Sequence, residues 1–207
     1  MYTPNSFRIS DTSELHAIIR KHSFAMLVTH GKSGMTATHL PLLFDAGENS
    51  HGVLLGHMAR ANPQWRETEG EVLVIFPGPH AYISPTWYET PRTVPTWNYV
   101  TVHAYGSLQL IEDRDRLHDI LTRTVTVYEE RMPKPWSYDI NDPEMEKMLK
   151  SIVGFQINLS RLEGKAKLNQ NHPEERRRRV IRALESQPRD DSRDIAKLMA
   201  VSLSDGT

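Results

Sequence analysis

An α+β chain built on an antiparallel β-barrel is what this sequence predicts. Three observations carry that reading. About seven apolar, β-rich runs follow one another at short spacing. Glycine and proline turns separate them, without the strand–helix–strand rhythm that a parallel sheet needs. The helical periodicities fall mostly late in the chain and at its two ends.

Asp11-Thr-Ser-Glu14 is a capping-box pattern, and Leu15, Ile18, Ile19 and His22 follow at helical spacing, so a helix is predicted at about 11–22. Phe24–His30 is apolar and β-rich. Gly31-Lys-Ser-Gly34 turns the chain, and Met35–Phe44 returns as a strand whose Pro41 implies an edge or a bulge. A polar turn is expected over Asp45–Ser50 and a third strand over Gly52–Met58. Asn62-Pro63 then offers a cap and a first helical residue. Glu71–Phe76 and His80–Ser84 read as two strands about a Pro77-Gly78-Pro79 turn. A loop holds Pro91 and Pro95, and Val100–Ile111 is a long strand in which Gly106 marks a bulge.

Leu117, Ile120, Leu121, Thr124 and Tyr128 make one stripe of a helix over Arg114–Glu130. A loop from Lys134 to Asn141 leads to Asp142-Pro143, which starts a short helix carrying Met145, Met148 and Leu149. Phe155, Ile157 and Leu159 alternate as in a strand, with Leu162–Leu168 as its extension. Helices over Pro173–Glu185 and around Ile195, Leu198 and Met199 end the chain. The domain reading is one barrel domain over residues 1–187 and a helical tail over 188–207.

Composition narrows the function classes. Of 207 residues, 25 are Lys or Arg and 26 are Asp or Glu, a formal charge of -1. A chain whose main work is neutralising nucleic-acid phosphates would be cationic. Cysteine is absent, which removes disulfides, thiolate nucleophiles and cysteine-held metals. The first residues show neither a basic nor an apolar leader region, and apolar runs such as Val72–Phe76 are far too short to span a bilayer. A cytoplasmic protein without a membrane partner is expected. No phosphate-binding glycine loop, HExxH pair or nucleophile elbow occurs, so no metal site is assigned and no catalytic residue is marked. His39, His57 and His103 are noted only because imidazole changes charge near neutral pH. Arg176–Arg179 is a cationic run whose simplest reading is a solvated helix face beside Glu174 and Glu175.

Three segments mix rings, amides and cations at strand ends: Gly56-His-Met-Ala-Arg-Ala-Asn-Pro-Gln-Trp65, Gly78–Tyr88 with Val94–Tyr99, and Glu163-Gly-Lys-Ala-Lys-Leu-Asn-Gln-Asn171. A flat, amide-edged, phosphorylated ligand needs that mixture. Rings and aliphatic groups cover its faces, amides read its edges, and Arg or Lys holds its phosphate. Arg60 follows the third strand, and Lys165 and Lys167 alternate on one extended segment.

These segments resemble the PaiB family of FMN-binding negative transcriptional regulators. The likeness also includes Met1-Tyr-x-Pro-x-x-Phe7 and Val102-His103, and it extends to about residue 187. It implies a predominantly antiparallel split β-barrel, a homodimer, and FMN held between two barrels. By position in that fold, Thr38, His39 and Leu40 face the flavin, and His57, Ala59, Arg60 and Asn62 lie near the phosphate. Lys165, Lys167, Gln170 and Asn171 close the site, with the partner subunit as their source. The resemblance further implies a regulator, with a flavin-dependent oxidoreductase using the same pocket as the alternative and haem as a remoter one. Direct DNA contact is not expected, because no helix-turn-helix pattern and no cationic excess accompany the family likeness.

Overall fold

A computed structural model describes residues 1–47, 51–137, 139 and 142–204. The end of the Asp45–Ser50 turn and Tyr138, Ile140 and Asn141 of the preceding-helix loop lie outside the described residues. The chain forms two compact units. One holds residues 1–18, 77–102 and 163–207, the other residues 19–76 and 103–162.

Among the described residues eight strands make one sheet: β1 (Arg8–Ile9), β2 (Phe24–Gly31), β3 (Gly34–Pro41), β4 (Leu43–Asp45), β5 (Val53–Ala59), β6 (Glu69–Ile83), β7 (Thr96–Ile111) and β8 (Ile152–Lys167). Their hydrogen-bonded order is β3-β2-β6-β7-β8-β5-β4, with β1 paired to β8. The registered pairs are antiparallel. The sheet runs from β3 at one end to β4 at the other and is not closed.

In the unit of residues 19–76 and 103–162, β2 and β3 are a hairpin in continuous register from Phe24↔Pro41 to Gly31↔Gly34. Gly34 sits at φ 98°, a conformation that glycine adopts without strain. Ala25, Leu27 and Thr29 of β2 alternate into the core, and Leu54 and Met58 of β5 meet Phe155, Ile157 and Leu159 of β8 there. Each such buried aliphatic side chain contributes about 1.5–3 kcal/mol. Helices α2 (Gln64–Glu67), α3 (Arg114–Glu129) and α4 (Pro143–Leu149) belong to this unit. Ile120 of α3 packs with Leu43, Leu55 and Ile111. Asp113 and Asp142 cap α3 and α4 by accepting from the backbone N–H of Arg116 and Glu144.

In the other unit, α1 (Thr12–Lys21) starts beside β1, and Arg8↔Lys165 and Ile9↔Gly164 pair β1 with β8. A Cβ on Gly164 would lie 2.2 Å from Leu15, so only glycine lets the first helix approach this strand. Helices α5 (Glu174–Glu185) and α6 (Asp190–Ser204) pack on each other. Val180, Ile181 and Leu184 of α5 and Ile195, Ala196 and Met199 of α6 are buried.

Several expected boundaries move. Pro77-Gly78-Pro79 is not a turn, because β6 continues through it to Ile83. The buried positions are Val72, Val74 and Phe76 before it and Pro79, Ala81 and Ile83 after it. The strand therefore exchanges its faces across the prolines. The expected 35–44 strand is two, broken at buried Leu42 just after Pro41. Residues 152–167 form one strand rather than a strand and an extension. Gly106 marks a close approach, since a Cβ there would stand 2.3 Å from the Asn158 carbonyl oxygen. No helix among the described residues is long and apolar enough to cross a membrane.

Candidate functional site

The predicted residues fall into one group in each unit. Thr38, His39, Leu40, His57, Ala59, Arg60 and Asn62 belong to the unit of residues 19–76 and 103–162. On β3, Leu40 points into the core while His39 lies on the exposed face and stacks on Phe24 at 6.1 Å. Thr38, two residues before Leu40 and on the same strand face, meets the β5–α2 turn.

Thr38 and Asn62 are brought together. Asn62 Nδ2 donates to Thr38 Oγ1 at 3.0 Å, and Thr38 Oγ1 donates to Gln64 Oε1 at 2.5 Å. Asn62 Oδ1 also accepts from the Gln64 N–H at 3.0 Å, the turn that an Asn before Pro63 is suited to make. Gln64 is 1% exposed, and its Nε2 lies 3.1–3.2 Å from Leu27 O, Thr29 Oγ1 and Thr36 O. This glutamine links β2, β3 and α2. It stands inside a segment already conspicuous in the sequence, but only the fold shows what its amide serves.

Arg60 has a definite local role. Its Nε donates to Lys150 O at 2.9 Å and its Nη2 to Ile152 O at 2.8 Å. Its own carbonyl accepts from Trp65 Nε1 at 3.1 Å. The guanidinium thus ties the end of β5 to the start of β8. His57, three residues earlier on β5, lines a cavity of about 230 Å³ with Leu121, Val125, Trp136, Met148 and Ile152. Burial there pushes its pKa below the ordinary imidazole value. Ala59 is exposed.

The second group, Lys165, Lys167, Gln170 and Asn171, lies in the unit of residues 1–18, 77–102 and 163–207. Lys165 is only 8% exposed; its Nζ donates to Tyr2 O at 3.1 Å and lies 5.1 Å from the Tyr99 ring centre. Lys167 donates to Thr96 Oγ1 and, at 2.9 Å, to Trp97 O. Its pKa is lowered, first by burial and then by the charge of Lys165. Gln170 folds back on its own turn, accepting from Leu168 N–H at 2.7 Å and donating to Ala166 O at 2.6 Å. Asn171 is exposed.

Sequence reasoning missed Asn169, Tyr88 and His172 in this unit. Asn169 takes φ 61° and donates from Nδ2 to the Tyr88 hydroxyl at 3.0 Å. The readable signal was Asn within a polar turn, since asparagine tolerates the left-handed region. The His172 ring stacks on Tyr88 at 4.9 Å and 18°.

Each group by itself offers amide donors and acceptors and a cation, and the second adds aromatic faces. Such donor sets suit a flat, amide-edged molecule that carries a phosphate. They offer little to a metal: among the described residues no three His, Asp or Glu side chains gather to hold one.

Residues 1–161 match the family model described as "Putative FMN-binding domain". The chain is 39% identical over 202 residues to the protease synthase and sporulation protein PAI 2 of Bacillus subtilis, covering 96% of each. Among solved structures it is similar to the conserved hypothetical protein Rv2991 of Mycobacterium tuberculosis, with TM-score 0.58, 14% identity, and 84% of this chain and 94% of that one covered. It is also similar to the flavocytochrome Anf3 of Azotobacter vinelandii, with TM-score 0.57, 13% identity, and 77% and 69% covered. At such identities the two structures speak for the fold alone, a split barrel. With the family model and the PAI 2 relative in agreement, the chain belongs to the PaiB family of FMN-binding-domain proteins.

Proposed function

We propose that this protein binds FMN as a homodimer and serves in flavin-linked negative control of gene expression. The observation that carries the flavin reading is the family match over residues 1–161, which contains the whole Thr38–Leu40 and His57–Asn62 group. On this reading Thr38, His39, Leu40, His57, Ala59, Arg60 and Asn62 of one subunit meet the flavin. Lys165, Lys167, Gln170 and Asn171 of the second subunit close the site. Bound FMN supplies reversible electron chemistry; the protein's part is to hold and orient it. The homodimer is supported by an exposed aromatic group on the second of these surfaces. Trp97 is 49% exposed, with Tyr82 edge-on to it at 5.8 Å and His80 at 6.1 Å. The regulatory role rests on the PaiB name and on the PAI 2 relative being named for protease synthesis and sporulation. Residues 1–187 would carry the flavin domain, with 188–207 as an appended helical segment.

A flavin-dependent oxidoreductase is the second reading. The observation favouring it is His57, a half-buried imidazole kept neutral by its apolar surroundings, on the strand that leads to Ala59 and Arg60. An unprotonated imidazole offers a ring nitrogen that can accept a proton.

The test is the absorption spectrum and released chromophore of the purified protein, with light scattering on the same sample. Flavin bands, released FMN and a dimer mass support the reading. A Soret band would move it to haem, and a monomer binding no flavin would end it. Turnover of a reduced nicotinamide by the FMN-loaded protein would favour the oxidoreductase.

A further inference from the structure

Two adjoining cavities open along one stripe of α3, in the unit of residues 19–76 and 103–162. Leu121, Val125 and Glu129 follow one another at four-residue spacing, so they lie in a row on the helix surface. Leu121 and Val125 line the cavity of about 230 Å³ that also meets His57 and Met148. Val125 and Glu129 line the second, of about 290 Å³, with Glu130 and Pro135. Val125 and Trp136 belong to both. The two spaces are therefore halves of one groove, apolar at one end and acidic at the other.

The wall they share is held in place. The Trp136 backbone N–H donates to Glu129 Oε2 at 2.8 Å, which fastens the loop before α4 to α3. The Trp136 side chain stays 53% exposed, so it borders the groove without filling it. Hydroxyls along the groove serve the backbone: Thr126 Oγ1 donates to Thr122 O at 2.9 Å and Ser151 Oγ to Met148 O at 2.5 Å. Burial keeps the His57 imidazole neutral, so the apolar end carries no charge. The cations of α3 and α4 are engaged elsewhere. Arg114 pairs with Glu146, Arg123 with Asp45 and Asp119, and Lys147 with Glu144, while Arg116 donates to Gln156. Arg131 and Lys134, the cations nearest to Glu129 in sequence, do not line the groove. Among the described residues neither Glu129 nor Glu130 is in an ion pair.

Size and charge define the occupant. An apolar cavity of about 150 Å³ takes up one benzene ring, whereas drug-sized ligands need about 300–1,000 Å³. The apolar end therefore suits a single ring. Four residues along a helix advance about 6 Å, so Glu129 stands about that far beyond Val125 along α3. A cation at that distance from the ring meets two carboxylates beside an indole, and both attract it. We propose that this groove binds a small aromatic amine, its ring against Leu121, Val125 and Trp136 and its ammonium, on a short alkyl chain, beside Glu129 and Glu130. The assignment is independent of the flavin reading. FMN is larger than the apolar end, and its phosphate would be repelled at the acidic one.

The test uses the full chain with nitrogen-labelled tryptophan. Phenethylamine, phenethyl alcohol and butylamine are titrated separately while the indole N–H signals are followed by NMR. The Trp136 signal is identified by its loss in Trp136→Phe. The titrations are repeated on Glu129→Gln, which keeps an acceptor for the Trp136 N–H and loses the charge. Phenethylamine is expected to move the Trp136 signal and to bind about threefold more weakly to Glu129→Gln. Phenethyl alcohol, of the same size without the charge, binds both proteins alike and more weakly than the amine binds wild type. Butylamine, without a ring, leaves the signal unmoved. FMN affinity is the same in wild type and Glu129→Gln, so the flavin reading is scored separately. If amine and alcohol bind wild type equally, or if Glu129→Gln binds the amine as wild type does, the acidic end has no part and the proposal fails. It fails equally if phenethylamine at millimolar concentration leaves Trp136 unmoved.

Discussion

Gln64 accepts a 2.5 Å hydrogen bond from the hydroxyl of Thr38, a residue 26 positions earlier in the chain. Through this bond the first turn of α2 is locked to β3, and the Gln64 Nε2 bonds to Leu27 O and Thr36 O extend the lock to both strands of the hairpin. Gln64→Leu keeps the bulk but leaves these groups without their partner. A buried polar group left unpaired costs about 1–3 kcal/mol, so a loss of about 3 kcal/mol is expected from the several affected. Gln64→Glu should do no better, because a carboxylate cannot donate to the two carbonyls. Urea unfolding of both variants checks this, and stability within about 0.5 kcal/mol of wild type would show that the network contributes little.

Arg60→Ala is expected to act first on stability. It removes two charge-assisted bonds to the Lys150 and Ile152 carbonyls, but at an exposed position where water replaces them. The expected loss is about 1 kcal/mol, a fall in Tm of roughly 2–4 °C for a chain of this size. FMN affinity should fall less than about tenfold. Thermal unfolding beside an FMN titration separates the two effects, and an unchanged Tm with a tenfold weaker FMN would return Arg60 to direct phosphate contact.

The hairpin of β2 and β3 was legible because an apolar, β-rich run and the Gly31–Gly34 turn are local signals. So were α3, from its stripe of Leu117, Ile120, Leu121, Thr124 and Tyr128, and α4, from Asp142-Pro143 at its start. The path of β6 through Pro77 and Pro79 was not. Proline normally breaks a ladder, and the face exchange that accommodates both residues depends on neighbouring strands. The candidate site divides in the same way. Amides and cations at strand ends were visible, but their partners lie far off in sequence: Asn169 meets Tyr88 across 81 positions, and Lys167 meets Trp97 across 70. No spacing rule reports such pairs. Nor does composition tell which member of Arg176–Arg179 turns inward, since that is settled by where α6 packs.

Acid should weaken the fold through His57 and His172. Both have folded-state pKa values below the ordinary imidazole value, chiefly from burial. Below about pH 6.5 the unfolded chain takes up protons that the folded chain refuses. Stability is therefore complete above that pH and falls as the pH drops toward the folded-state values. Each histidine contributes a slope of at most about 1.4 kcal/mol per pH unit. Urea unfolding at pH 7.5 and 5.5 measures the fall, and His57→Leu, which suits the apolar cavity, should reduce it. An equal fall in that variant would remove His57 from the account.

The arginine run should not confer DNA affinity. Duplex binding needs cations free to replace condensed counterions, several of them along one face. Here Arg177 donates to Met199 O and Ser202 Oγ, while Arg178 and Arg179 are bridged to Glu174 and Glu175 four residues earlier. Among the described residues Arg176 alone of the run is left without such a partner, and one cation does not make a face. With a net charge of -1 the chain supplies no long-range attraction either. Fluorescence anisotropy with a labelled duplex at about 0.15 M salt should give dissociation constants no tighter than about 10⁻⁶ M, with little dependence on sequence. The double variant Arg178→Ala/Arg179→Ala should leave that weak binding unchanged while lowering stability, because Arg179 also holds the Tyr88 carbonyl. Tight, sequence-dependent binding that the double variant abolishes would make α5 a DNA-reading helix and bring direct repression back as the mechanism.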